Sequence, residues 1–160
     1  MTTEHRIIHL VEKNWQKIAD LAIRRVQQDP ETPNYKALTD EELRSRAHDL
    51  LINLGSWLDR RYEELGRVRQ QDGFPLHEVV YKLQLLKRTI LEHAREQHLE
   101  MNAMELYAEQ EFLQRLDRFF DRIIYRVVKG YSEQAMNAAP AVRSASARLG
   151  TTAETGKRAA

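Results

Sequence analysis

The chain has 160 residues, with 25 Lys+Arg against 24 Asp+Glu and no cysteine. That length suits one domain with a single apolar core, and the missing cysteines exclude disulfides and Cys-based zinc sites, which fits a reducing, cytoplasmic compartment. Residues 1–130 carry 21 Lys+Arg and 22 Asp+Glu, and residues 131–160 carry 4 and 2, so the basic field that gathers nucleic acid is missing and nucleic acid is not an expected partner.

The start of the chain leads into an amphipathic stretch, without the apolar core of a signal peptide. Membrane insertion is not expected either, because no stretch approaches the roughly 20 apolar residues that a bilayer requires. The first stripe, Ile8, Val11, Trp15, Ile18, Ala22 and Val26, recurs at helical spacing. It stops before Pro30, which disfavours helical geometry in Asp29. Residues 29–38 then read as a loop.

Thr39 and Glu42 have the spacing of a capping box, in which each side chain satisfies the other's backbone N–H. The stripe that follows is Leu43, Ala47, Leu50, Leu54, Leu58, Tyr62 and Leu65, which predicts one helix through Leu65. Residues 66–73 read as a turn or frayed end, with Gly73 suited to a left-handed cap and Pro75 to the first turn of the next helix. Leu76, Val79, Leu83, Leu86, Ile90 and Ala94 form the third stripe.

No Pro or Gly then appears until Gly130. One helix from Pro75 to Lys129 would run about 80 Å, so a break is expected near residues 98–102, with Asn102 as N-cap. The last helix carries two adjacent stripes. Phe112, Leu116, Phe119, Ile123 and Val127 form one, and Leu113, Phe120, Ile124 and Val128 the other. A face that wide serves either the centre of a bundle or a second subunit. Leu116, Phe120, Ile123, Ile124 and Val127 are accordingly the candidate homodimer interface. From residue 136 the composition turns to Ala, Ser, Thr and Gly, which predicts a disordered tail. Thr151, Thr152 and Thr155 are read as exposed hydroxyls within it. The expected fold is all-α, an antiparallel bundle of four main helices in a globin-like or four-helix arrangement, with residues 1–135 as the domain and 136–160 as the tail.

Residues that could carry chemistry are sparse. Phosphate-binding glycine loops, a Gly-x-Ser-x-Gly elbow and the Glu-x-x-His pairs of di-iron bundles have no match in the sequence, so the chain reads as non-enzymatic, without cofactor or metal. His5 and His9, with Glu12, have metal-ligand spacing, but solvated surface is the favoured reading. His93 or His98 could sit over a haem in an alternative sensor reading. Arg115, Arg118, Arg122 and Arg126 form a ridge that could meet nucleic acid or an acidic partner. Glu111 is placed to pair with Arg115 and Asp121 with Arg118, so an ion-paired solvated face is favoured. Trp15, Trp57, Tyr62, Tyr81, Tyr107 and Phe112 could line a ligand pocket, with plain core as the stronger reading.

The stretch from Gly66 to Val80, with Leu83 and Leu86 after it, resembles the N-terminal domain of the RsbT co-antagonist proteins, the RsbRD type. Arg69, Gly73, Leu76, Glu78, Val79 and Val80 stand at the positions of that family's Arg, Gly, Leu, acidic and paired hydrophobic residues, with Pro75 between them. Tyr35, Leu38, Glu42 and Leu43 resemble its entry to the second helix, and Trp15 lies in its first. The resemblance covers roughly residues 5–130. It implies a dimerising helical input domain of stress-response signalling, or one placed ahead of kinase or transcription-factor outputs, with a signalling protein as partner and no prosthetic group. Such domains usually continue into an output domain, so no phosphorylation site carries over to this chain.

Overall fold

A computed structural model of the chain describes residues 3–54, 59–96 and 103–151, without the side chains of residues 3, 4, 6, 7, 103–106, 108, 109 and 139–151. Seven helices make up those residues: α1 (Thr3–Lys13), α2 (Trp15–Gln28), α3 (Pro33–Lys36), α4 (Asp40–Ile52), α5 (Asp59–Gln71), α6 (Leu76–Glu96) and α7 (Ala103–Thr151). The all-α expectation holds. Seven helices form among the described residues where four main ones were expected.

The first stripe is shared between α1 and α2, which meet at Asn14. Helical bonds pass through this turn, since Asn14 N–H donates to the Leu10 carbonyl and Ile18 N–H to the Asn14 carbonyl. Thr39 and Glu42 form the expected capping box at the head of α4. The helix expected to run on through Leu65 ends instead at Ile52, and α5 begins at Asp59. Residues 55–58 lie outside the described set, as do Trp57 and Leu58. Across the gap the Tyr62 hydroxyl donates to the Leu54 carbonyl at 3.1 Å, supplying a partner to one of the carbonyls freed at a helix end.

Residues 66–71, expected as turn, are the last part of α5. That helix closes with a Schellman motif: Phe74 N–H donates to the Arg69 carbonyl and Gly73 N–H to the Gln70 carbonyl. The motif needs a left-handed residue, and Gly73 supplies it at φ 80°. Helix α6 ends at Glu96 and α7 begins at Ala103, and the break expected near 98–102 falls between them. Its residues, including His98 and Asn102, are outside the described set. Helix α7 runs to Thr151.

Contacts between side chains fix the directions. Asp20 pairs with Arg44 and Gln27 with Asp40, so α2 and α4 are antiparallel. Asp29 accepts from Tyr81 while Arg25 meets Thr89 and Glu92, so α2 and α6 are antiparallel as well. Helices α5 and α7 differ. Asp59 pairs with Arg122 and Arg126, Glu63 with Arg126 and Lys129, and Arg67 with Glu133, so numbers rise together and the helices are parallel.

This parallel seam is unusually close. A methyl group built on Gly66 would fall 2.9 Å from the Val127 carbonyl carbon, with the carbonyl oxygen nearer still. One built on Gly130 would fall 2.8 Å from the Glu63 Cα. The two glycines therefore let backbone touch backbone (the use of glycine wherever a Cβ has no room). A single core forms around the seam, joining Val11, Ile18, Val26, Leu51, Tyr62, Leu86, Ile90, Leu116, Phe120 and Val127.

Candidate functional site

Between α3, α4, α5 and α6 lies a cavity of about 600 Å³. Leu50, Leu65, Val68, Val79 and Leu83 give it apolar walls, and Arg46, Arg61, Arg69 and Lys82 give it cations, against the acids Asp49 and Glu64.

Local structure explains how the cations converge. The left-handed turn at Gly73 carries the chain back on itself and buries Phe74. There the Phe74 ring packs on Tyr35 of α3, with centroids 4.6 Å apart. Arg46 from α4 lies over the Phe74 ring at 5.2 Å, Arg69 from α5 at 6.0 Å, and Lys82 from α6 stands 4.5 Å over the Tyr35 ring. Three helices thus deliver three cations to one aromatic pair, each gaining on the order of 1 kcal/mol from the ring quadrupoles.

Compensation by acids is thin. Asp72 lies 3.8 Å from Arg69 on the solvent side. Glu78 is fully buried; its Oε1 accepts from the Asn34 N–H at 3.0 Å, and its Oε2 has no hydrogen-bond partner. This carboxylate ties α6 to the first turn of α3. Burial and the neighbouring guanidiniums of Arg69 and Arg46 push the Lys82 ammonium down to about 7. Burial pushes the Tyr35 hydroxyl up to about 12, against the pull of the same two arginines.

The other residues singled out in the sequence are dispersed. Leu116, Phe120, Ile123 and Val127 are buried within this chain's own core, and Ile124 is half-buried. The stripe expected to meet a second subunit is therefore spent on the chain's own interior, because α7 is the helix against which α1, α5 and α6 close. The arginine ridge is largely ion-paired. Arg115 pairs with Glu111 at 2.7 Å, and Arg122 and Arg126 pair with acids of α5. The exposed Arg118 is not paired with Asp121 among the described residues, and it lines a shallow recess with Arg115, Phe119 and Arg122.

His5, His9 and Glu12 are exposed, and among the described residues no group of three or more potential ligands could hold a metal ion. His93 is buried, with Nε2 unpartnered. Trp15 packs edge-on against His48, Tyr62 is core, Tyr81 bonds Asp29, Phe112 is half-buried and Tyr107 is exposed. None of these aromatics lines the cavity; Tyr35 does.

Of the family-pattern residues, Arg69 reaches the cavity, Gly73 makes the left-handed turn, and Pro75 and Leu76 open α6. Glu78 and Val79 are buried, with Val80 half-buried beside them. Arg46 and Lys82 went unremarked in the sequence. The available signal was a cation on an apolar stripe, Arg46 beside Ala47 between Leu43 and Leu50, and Lys82 beside Leu83 between Val79 and Leu86.

Helices wrapped on one core, with a walled cavity between four of them, define an all-α domain. Among the described residues no helix is long and apolar enough to cross a membrane. Residues 16–146 match the family described as the RsbT co-antagonist protein RsbRD N-terminal domain, and the chain belongs to that family. It is thus a regulatory domain of signal transduction. No curated protein and no solved structure gives a significant match to it.

Proposed function

We propose that this chain is a non-enzymatic, cytoplasmic input domain of a partner-switching or stress-response pathway, working through protein–protein contacts as a homodimer. The observation that carries the reading is the family match over residues 16–146, which takes in the core, the cavity and most of α7. The surface for self-association is the outer line of α7. Tyr107, Tyr125 and Met136 are exposed there at 73%, 61% and 73%. Their spacings correspond to about five and about three helical turns, which sets them on one face. Half-buried Ile124 and Val128 flank that line.

Light scattering on the full chain tests the dimer. The expected result is a dimer at micromolar concentration that becomes monomeric in the double variant Tyr125→Glu, Met136→Glu with helicity unchanged. A wild-type monomer would overturn self-association, and a dimer surviving both changes would overturn this face. The regulatory role has its own readout. Deleting the chain's gene should alter a stress-responsive reporter, and an unchanged response under every stress tried would overturn the pathway assignment.

A further inference from the structure

We propose that the cavity between α3, α4, α5 and α6 binds a small organic anion, with Arg46, Arg69 and Lys82 holding its anionic head and Leu50, Leu65, Val68, Val79 and Leu83 holding its apolar body. This site is independent of dimerisation and stands or falls without it.

Three observations converge on it. The first is the shape, since about 600 Å³ lies in the range of cavities that enclose a small ligand. The second is the gathering of like charges. Arg46 and Arg69 share the Phe74 ring and Lys82 stands over the adjoining Tyr35 ring, so three cations from three helices crowd one end of the cavity. Holding them together costs coulombic energy that attraction to the rings offsets in part only. The third is an orphan. Arg46 Nη1 is buried without a hydrogen-bond partner, and a buried charged donor left unsatisfied is both costly and rare.

An oxyanion in the cavity would answer all three. A carboxylate or phosphate accepts the planar fork of a guanidinium in a bidentate manner, which explains two arginines where point charges alone would have served. Of the acids nearby only Asp72 is paired with one of these cations, 3.8 Å from Arg69 on the solvent side. Glu64 pairs with Arg67 at 3.2 Å, Asp49 lies 3.5 Å from His48, and Glu78 accepts from Asn34. The mixed lining favours a ligand with an apolar body over a bare ion.

Lys82 adds a proton to the chemistry. Its ammonium is pushed down to about 7 by burial and by Arg69 and Arg46, and an anion beside it would restore the charged form. The groups around it are Tyr35 of α3, Arg46 and Asp49 of α4, Arg61, Glu64 and Arg69 of α5, Asp72 in the turn after α5, and Glu78 of α6. Binding should therefore take up a proton above neutral pH and weaken as pH rises.

Titration calorimetry on the full chain tests the proposal with octanoate, 1-octanol and inorganic phosphate as probes. Octanoate is expected to bind, octanol to bind at least about tenfold more weakly, and phosphate to fall between them. Arg46→Met and Lys82→Met should each weaken octanoate at least about tenfold. Arg118→Met on the outer face of α7 should leave it unchanged, which separates the cavity from general surface charge. Phosphate binding as tightly as octanoate would keep the cation cluster and overturn the apolar-body assignment. Octanol matching octanoate, or octanoate unaffected by both cavity variants, would overturn the site. So would failure of all three probes to bind at millimolar concentration. Thermal melts of Arg46→Met and Lys82→Met confirm folding, and each variant should melt at or above the wild-type temperature because a like charge has been removed.

Discussion

Replacing Gly66 by alanine should destabilise the chain, although alanine is the better helix former by about 1 kcal/mol. Gly66 lies inside α5, and a Cβ there would meet the Tyr131 nitrogen at 2.8 Å and the Val127 carbonyl carbon at 2.9 Å. Ordinary carbon contacts sit near 3.5–4.0 Å, and the Val127 carbonyl oxygen lies nearer still, so the helices would have to separate by about 1 Å or more. The obstacle is backbone within α7, which cannot rotate aside as a side chain could. Overpacking of this kind costs about 1–3 kcal/mol. Separation would also strain the hydrogen bond that the Tyr131 hydroxyl donates to the Phe74 carbonyl at 2.6 Å, which adds about 1 kcal/mol. Subtracting the gain in helix propensity leaves a net loss of about 1–3 kcal/mol, or a melting point lower by about 2–12 °C for a chain of this size.

Thermal and urea unfolding followed by far-UV circular dichroism would read the change. Gly130→Ala should behave alike, since its added methyl would meet Glu63 backbone atoms. The double variant should lose less than the sum, because one separation of the helices relieves both clashes. Gly73→Ala provides the contrast. No atom lies within 4 Å of a methyl there, and the strain comes from φ +80 alone, so Gly73→Asn should recover much of the loss. A Gly66→Ala variant as stable as wild type would refute the backbone-contact account of the seam.

Two further predictions concern pH. Hydrogen bonds hold three carboxyls below their ordinary values of 3.8 for Asp29 and 4.5 for Glu42 and Glu63: Tyr81 to Asp29, the Thr39 backbone to Glu42, and Arg126 to Glu63. The unfolded chain binds their protons first, so this stability is present above those values and is lost as pH falls below them. Thr39→Ala should cost about 1 kcal/mol near neutrality through the lost cap, and Glu42→Gln should flatten part of the acid limb; an acid limb as steep as wild type in Glu42→Gln would exclude Glu42 as a source. On the alkaline side Lys82 works in the other sense. Its folded value is about 7 against 10.5 unfolded, so the unfolded chain holds the extra proton between them and stability should rise with pH across that window, by an amount on the order of a few kcal/mol. Above about 10 the buried Tyr35 and Tyr62, both held above the ordinary tyrosine value of 10.0, should reverse the trend. Urea midpoints against pH for wild type and Lys82→Met check this, and a variant that keeps the rise would show that Lys82 is not its cause.

Sequence periodicity determined which residues are buried more firmly than it determined how the helices are arranged. Val11, Ile18, Leu43, Leu50, Val79, Leu83, Ile90, Leu116 and Val127 were all placed on apolar stripes and all lie in the core. The Thr39–Glu42 cap and the left-handed Gly73 were equally legible, because each is decided by a few neighbouring residues and a local hydrogen bond. The Gly66–Gly130 contact was not. A glycine followed by polar residues reads as a turn unless the approach of another backbone is known, and that backbone lies more than sixty residues away.

The same distinction governs the surfaces that carry function. A wide apolar face on α7 is consistent with a bundle centre or a subunit interface, and only the positions of α1, α5 and α6 decide that Leu116, Phe120, Ile123 and Val127 are interior. The cavity is a tertiary product as well. Arg46, Arg69 and Lys82 lie on three helices, and in sequence each is one charge among many. Packing of Phe74 on Tyr35 brings them together. Helical periodicity is a property of the local chain and can be read from it, whereas convergence depends on how separate helices pack, which is a property of the folded whole.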